Sequence, residues 1–282
     1  MIACIETGEY LLNTARLRMC EALQVWYTAD MTYSIPSPKA IIFDMDGVLL
    51  ITTQSSDQSW HHVCQQFAPS LNLAPHLLEE ALRASRRAYR QEIAHDAQKQ
   101  RRDRLEPFTT RRETVERALA RIGREDQELA TEMVRRYEAL RDEHRQLAPR
   151  AFETLQQLRD CGLPLALISN GNATYQRGKI KQHHLAPFFD AILIEEEYGV
   201  AKPDQRIFLA ALDQLRVAAH NTWMIGDDLA LDIAGSQQVG MVAIWCDPAK
   251  HGLPKESTVS PDHIIHALPE VLDLFEDAQA SA

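Results

Sequence analysis

The sequence predicts an α/β fold, a doubly wound parallel sheet interrupted once by a helical subdomain. Three observations carry the prediction. Short unbroken apolar runs recur along the chain, which suits strands covered on both faces. Helical stretches separate most of them, and that alternation calls for crossover connections in a mainly parallel sheet. Between the first and second runs, however, lie about 95 residues (55–149) with helical patterning, far too many for a loop.

The elements follow in order. Residues 1–38 read as an extension and linker: a helix through LLNTARLRMCEALQVWY, then SIPSPK, whose prolines exclude helix. The first core piece spans residues 39–54, with the run IIFDM ended by a glycine. The helical subdomain spans residues 55–149, where Pro69, Pro75, Pro107 and Pro149 mark helix boundaries. Residues 150–282 return to the core. Its strands are LPLALIS, AILI (191–194), TWMIGDD (222–228) and MVAIW (241–245), with helices over 150–161, 204–217 and 229–239.

Composition narrows the function. The 282 residues are 45% hydrophobic and 25% charged, ordinary for a soluble globular chain. A net charge of -10 argues against nucleic acid or an anionic membrane as the main partner. No apolar stretch reaches membrane-span length, and Glu6 and Glu9 interrupt the N-terminus where a signal core would lie. Five scattered cysteines without a CxxC pair read as reduced thiols of a cytoplasmic protein. Monomer and homodimer both stay open.

Four short pieces sit at or just beyond predicted strand ends: DMDG (44–47), SNGN (169–172), AKPD (201–204) and GDD (226–228). Ligands of open α/β sheets bind outside the carboxyl ends of the strands, where strand order reverses. A reversal between the first and fourth predicted strands makes Asp44 and Asp227 neighbours. DxDG alone opens calcium loops too, but Val48 and Leu49 stand where that pattern needs an acid and a glycine.

The ordered set resembles the haloacid dehalogenase superfamily, over roughly residues 39–276. The resemblance implies a Rossmann-like core, a helical cap inserted after the first motif, and a magnesium-dependent phosphatase. A looser likeness, through EIAHD (92–96), SNGNA (169–173) and GDDLALDIAGSQQVGM (226–241), is to bacterial flavin-pathway phosphatases acting on FMN or a ribityl-aminouracil phosphate. The chain departs from its relatives at Ile51, where an acid or Asn is common near the hinge to the cap.

On this reading Asp44 attacks phosphorus, and Asp46 protonates the leaving oxygen and then deprotonates water. The i, i+2 spacing aims both at one site while Met45 turns away. Mg2+ would be held by the carboxylates of Asp44 and Asp227 and the backbone carbonyl of Asp46. Gly47 permits a sharp exit that brings amides near the phosphate. The Ser169 hydroxyl and the backbone of Asn170 and Gly171 extend that cradle, and Lys202 neutralises nucleophile and transferring group. Asp228 and Asp232 orient ligands, hold Lys202, or cap the helix that starts near 229. A phosphomutase uses the same residues; a dehalogenase does not need Asp46; a non-catalytic binding protein would be expected to lose Asp44, Lys202 or Asp227.

Two features have bland alternatives. His61–His62 and His183–His184 read as surface or half-buried, because adjacent residues diverge on a helix and no ligand set accompanies them. Residues 83–112 hold ten basic and four acidic residues, a local +6 that leaves -16 for the rest. That stretch reads as a solvated helix face or as a cap attracting a small phosphorylated metabolite, with Arg86, Arg87 and Arg90 the residues to test.

Overall fold

The computed structural model describes residues 35–281. The helix expected within residues 1–30 lies outside the described residues, as do Cys4 and Cys20.

Six parallel strands form the main sheet: β1 (Ala40–Phe43), β4 (Leu165–Ser169), β5 (Ala191–Ile194), β6 (Thr222–Gly226), β7 (Val242–Cys246) and β8 (His263–Ile265), in the order β5-β4-β1-β6-β7-β8. The order reverses on either side of β1, so the ends of β1 and β6 open onto one crevice. The expected doubly wound parallel sheet is therefore present, with β8 as an edge strand beyond those expected.

Alternation along β1 divides its burial between two layers. Ile41 and Phe43 join Leu155, Leu158 and Phe275 on one face, while Ala40 and Ile42 join Phe208 and Ala211 on the other. The covering helices are α6 (Ala151–Asp160) and α11 (Glu270–Ala280) on the first face, and α9 (Gln205–Leu215) on the second. Helix α7 (Ala173–Gln182) follows β4, and Asn172 caps it by accepting from the Tyr175 N–H.

Between β1 and β4 the chain first makes a two-stranded antiparallel ribbon. It joins β2 (Leu50–Thr52) to β3 (Arg145–Leu147), with Ile51 opposite Gln146. Five helices lie between these strands: α1 (Ser56–Phe67), α2 (Pro75–Ile93), α3 (Ala97–Leu105), α4 (Pro107–Arg121) and α5 (Gln127–Glu143). Their starts are written locally. Ser55 and Gln58 form a reciprocal capping box, Pro75 and Pro107 occupy first turns, and Asp96 and Asp126 accept from first-turn amides. These helices bury an apolar cluster of their own, including Trp60, Leu82, Leu119 and Met133.

The helix expected over 229–239 is broken in two. Leu229–Ile233 winds as one π-helical turn, in which the Ile233 N–H donates to the Asp228 carbonyl; Ala234–Gln237 (α10) continues as α-helix.

Candidate active site

Asp44 leaves the end of β1 buried, and Met45 turns into the core, as the spacing requires. Lys202 Nζ lies 2.5 Å from Asp44 Oδ1 and 2.6 Å from Asp232 Oδ1, and it donates to the Ile168 carbonyl at 3.2 Å. Asn170 fixes the lysine from behind: its amide oxygen accepts from the Lys202 N–H at 2.8 Å, and its amide nitrogen donates to the Lys202 carbonyl at 3.0 Å. Asn170 thus positions the lysine with its side chain.

Asp227 follows β6 across Gly47. A Cβ on Gly47 would stand 2.0 Å from Asp227 Oδ2, and Gly47 has φ +94°, so the closeness of these two residues excludes any side chain there. Gly226 has a parallel role, since a Cβ on it would lie 2.2 Å from the Asp232 Cβ. One oxygen each from Asp44, Asp227 and Asp232 falls within a 4.8 Å cluster.

The electrostatics follow from burial. Asp44 is pushed up to about 8, first by burial, with Lys202 opposing and Asp232 and Asp227 adding to the rise. Asp227 reaches solvent at the rim, and the low-polarity wall behind it and then Asp232 push it up to about 7. Burial alone would weaken the Lys202 ammonium, but Asp232 and Asp44 outweigh it and hold the pKa above the ordinary lysine range. Three carboxylates against one ammonium leave excess negative charge. A hard divalent cation with oxygen ligands suits that donor set.

Asp46 belongs to a second pairing that the sequence reading missed. Lys179 Nζ lies 2.9 and 2.7 Å from its two oxygens, and Gln176 Nε2 donates to it at 3.2 Å. Burial opposes ionisation of Asp46, but Lys179 and Gln176 win and hold its carboxyl below the ordinary value. Gln176 also donates to Ser169 Oγ at 2.7 Å and to the Asn170 carbonyl at 2.8 Å. Gln176 and Lys179 share one face of α7 at i, i+3 behind the Asn172 cap, and that spacing was the available signal.

Three expected roles change. The Gly47 N–H donates to the Leu50 carbonyl at 2.8 Å, so this glycine contributes space for Asp227 and not a free amide. The Gly171 N–H donates to Glu195 Oε2 at 2.9 Å, so it too is occupied. Asp228 and Asp232 separate: exposed Asp228 caps the π-turn through the Ala230 and Leu231 amides, while buried Asp232 holds Lys202 and accepts from the Asp228 N–H.

Glu195 is fully buried and takes a two-pronged contact from Arg104 of α3, at 2.8 and 2.9 Å. Asn172 donates to the Leu105 carbonyl beside it. The end of α3 is therefore fastened both to the loop after β4 and to the start of the segment after β5. Of the paired histidines, His61 meets Glu79 at 2.8 Å and His62 meets Gln54 at 2.7 Å, leaving neither in a metal set. Seven of the ten basic residues in 83–112 are ion-paired; among the described residues Arg87, Arg90 and Arg101 have no such partner.

A half-open hollow of about 440 Å³ is lined by Asp46, Gly47 and Asp227 together with Arg111, Tyr137 and Arg145 of the insertion and the ribbon. The sheet order and these acids at its reversal define a doubly wound α/β protein with a carboxylate-lined crevice at its switch point. Residues 38–240 match the model of the haloacid dehalogenase-like hydrolases, and the chain belongs to that family. A ribulose-1,5-bisphosphate 5-phosphatase of Halopiger xanaduensis is 35% identical over 138 residues, 47% of this chain and 58% of that one. A phosphoserine phosphatase of Thermus thermophilus is 39% identical over 126 residues, 44% of this chain and 49% of that one. The chain thus spans about half the length of the curated relatives it matches. In structure it is similar to a 2-haloacid dehalogenase of Pseudomonas syringae pv. Tomato, with a TM-score of 0.58, 27% identity, and coverage of 85% of this chain and 98% of that one. Among the described residues no helix is long and apolar enough to cross a membrane.

Proposed function

We propose that the protein is a magnesium-dependent phosphatase that hydrolyses a small phosphorylated metabolite through an aspartyl-phosphate on Asp44. The observation that carries the reading is the pairing of Asp44 with Lys202 at 2.5 Å, beside Asp227 and two residues from Asp46. The names of the two relatives, both phosphatases of small metabolites, support the substrate class. Residues 55–149 act as its cap. Among the described residues Cys64, Cys161 and Cys246 are free thiols, which fits the reducing cytoplasm.

Asp44, Asp227 and the backbone carbonyl of Asp46 would hold Mg2+, with Asp232 close enough to tune the site. The bound cation supplies charge neutralisation between carboxylate and phosphate. Lys202 draws off charge on the Asp44 side, and Asp232 and Asn170 keep it there. Asp44 Oδ forms a bond to phosphorus as the ester P–O bond breaks, and Asp46 delivers a proton to the departing oxygen. Water then attacks phosphorus with Asp46 taking its proton, which frees Asp44 and phosphate. Lys179 and Gln176 hold Asp46 ionised in the free site, the form that the second step needs. The proton that it delivers in the first step is taken up from solvent when the phosphate dianion enters beside it and its negative charge raises the carboxylate's affinity for protons.

The test is phosphate release with magnesium across a panel of metabolite phosphates, including FMN, sugar phosphates and phosphoserine. Asp44→Asn is expected to lower turnover at least ~1,000-fold, because the nucleophile is gone. Turnover within a few-fold of wild type would refute the assignment. The dehalogenase likeness is tested in the same plate: halide release from a 2-haloacid, with no phosphate release, would replace the phosphatase reading.

A further inference from the structure

We propose that the substrate carries a second anionic group, phosphate or carboxylate, far from the phosphate that is cleaved. Arg86, Arg90 and Arg111 receive it in a hollow inside the helical insertion. The inference rests on the phosphatase reading and specifies its substrate class.

Two hollows meet at a shared wall. The first is lined by Asp46, Gly47 and Asp227 and by Arg111 and Tyr137. The second, about 220 Å³, lies wholly within the insertion, and Arg111 and Tyr137 line it as well. A molecule with its phosphate beside Asp46 and Asp227 and its body along the first hollow reaches Arg111 and Tyr137, where the second begins.

The second hollow is built for an anion. Arg86, Arg90 and Arg111 reach it against a single acid, Asp103, and its other walls include Trp60, Tyr89 and Tyr137. The carboxylates that pair two of these arginines lie elsewhere. Asp57, the partner of Arg86, has a 77% exposed side chain, and Glu138, the partner of Arg111, faces the first hollow. Arg90 has no ion pair among the described residues.

Arg86 is also held in place before any ligand arrives. It donates to Ser56 Oγ at 3.0 Å, and that hydroxyl shares a hydrogen bond with the Tyr137 phenol at 3.0 Å. Its guanidinium sits 6.0 Å from the Trp60 ring centre, and that of Arg111 sits 5.6 Å from the Tyr137 ring centre. Arg86 gives one N–H of each terminal nitrogen to Asp57 and Ser56, and Arg111 gives one to Glu138, so each guanidinium keeps further N–H groups for a phosphate or carboxylate beside the unpaired Arg90. A neutral leaving group would need none of them.

Arg87 is the internal contrast. Like Arg90 it is exposed, but it lines a separate depression with Glu79 and Glu80. Two of the three arginines that the sequence singled out thus face the hollow, and one does not.

The experiment uses the full chain with magnesium and matched substrates: a sugar bisphosphate against the monophosphate of the same chain length, and a phosphorylated hydroxy acid against its neutral amide. p-Nitrophenyl phosphate reports the chemistry alone. Wild type is expected to favour the members with two anions by at least roughly tenfold in kcat/KM, the scale of one charge-assisted hydrogen bond. Arg90→Gln should lower that preference about tenfold through KM, while Arg87→Gln keeps it. Equal turnover of matched partners, or equal losses in both variants, would overturn the inference. Turnover of p-nitrophenyl phosphate without discrimination removes this inference and leaves the phosphatase reading standing. No phosphate release from any ester, that one included, removes both. The bisphosphate and hydroxy-acid pairs decide which anion is taken.

Discussion

Lys202 at the strand ends and Arg102 in the insertion each contact two carboxylates, yet the two arrangements differ in kind. The Lys202 side chain is 3% exposed, and its partners Asp44 and Asp232 are 10% and 1% exposed. Arg102 is 45% exposed, with Glu106 at 55% and Glu113 at 28%. Water screens the second set and is excluded from the first. The same pairing of charges is therefore a minor surface contact in one place and a strong constraint in the other.

The largest stability effect follows from that difference. Lys202→Met leaves Asp44 and Asp232 buried without their cation, and breaking such a pair is expected to cost about 3–5 kcal/mol. Arg102→Met should cost no more than ~1 kcal/mol, since exposed pairs contribute little. Urea unfolding of both variants in chelator checks the contrast. Similar losses in the two would break it.

Arg104 lies between these extremes and sharpens the comparison. It belongs to the insertion, but its partner Glu195 is fully buried in the core. Arg104→Leu strands that carboxylate with only the Gly171 N–H, and the expected loss is roughly 1.5–3 kcal/mol, the scale of a hydrogen bond to a charged group. Hydrogen exchange should show α3 losing protection first, because Arg104 fastens it to Glu195 after β5 and Leu105 to the loop after β4. A uniform loss of protection over the whole chain would count against a local fastening.

What was legible in the sequence divides along the same line. The apolar runs of β1, β4, β5, β6 and β7 are continuous because both faces are covered, and continuity is visible without partners. The β8 strand HII is three residues long at an edge, too short for a period. The ribbon of β2 and β3 joins segments on either side of the insertion, and nothing local announces it. Asp44, Asp227 and Lys202 are legible as candidates because each stands at a strand end or in the loop beyond. Lys179 escaped because its partner Asp46 is 133 residues earlier, on a different element. The amides of Gly47 and Gly171 were misread for a related reason: only the fold brings Leu50 and Glu195 to them. Asp228 and Asp232 look alike in sequence, and the π-turn assigns one to the cap and the other to Lys202.

The smallest predicted effect is a pH dependence at the strand ends, small because the Asp227 side chain is open to solvent and water screens it. Asp44 and Asp227 would ionise near 3.8 in the unfolded chain, but the fold moves them to about 8 and about 7, through desolvation first and neighbouring charge second. Between those limits the folded protein binds more protons than the unfolded one, so in the absence of metal these groups make stability fall as pH rises. Asp46 is shifted downward and acts below this window, whereas Lys202 is shifted upward and acts above it. Burial lowers His183, which works in the opposite direction near neutrality. That histidine is common to wild type and Asp227→Asn, so it cancels in their difference. Melting curves from pH 5 to 8 in chelator should therefore converge at low pH, with wild type losing ground to Asp227→Asn as pH rises. Magnesium should reverse that order and stabilise wild type most at pH 8, where fewer protons must be displaced from its ligands. If the two proteins kept a constant gap across the range, with magnesium and without it, the carboxylate cluster would be no more coupled than the exposed pairs of the insertion.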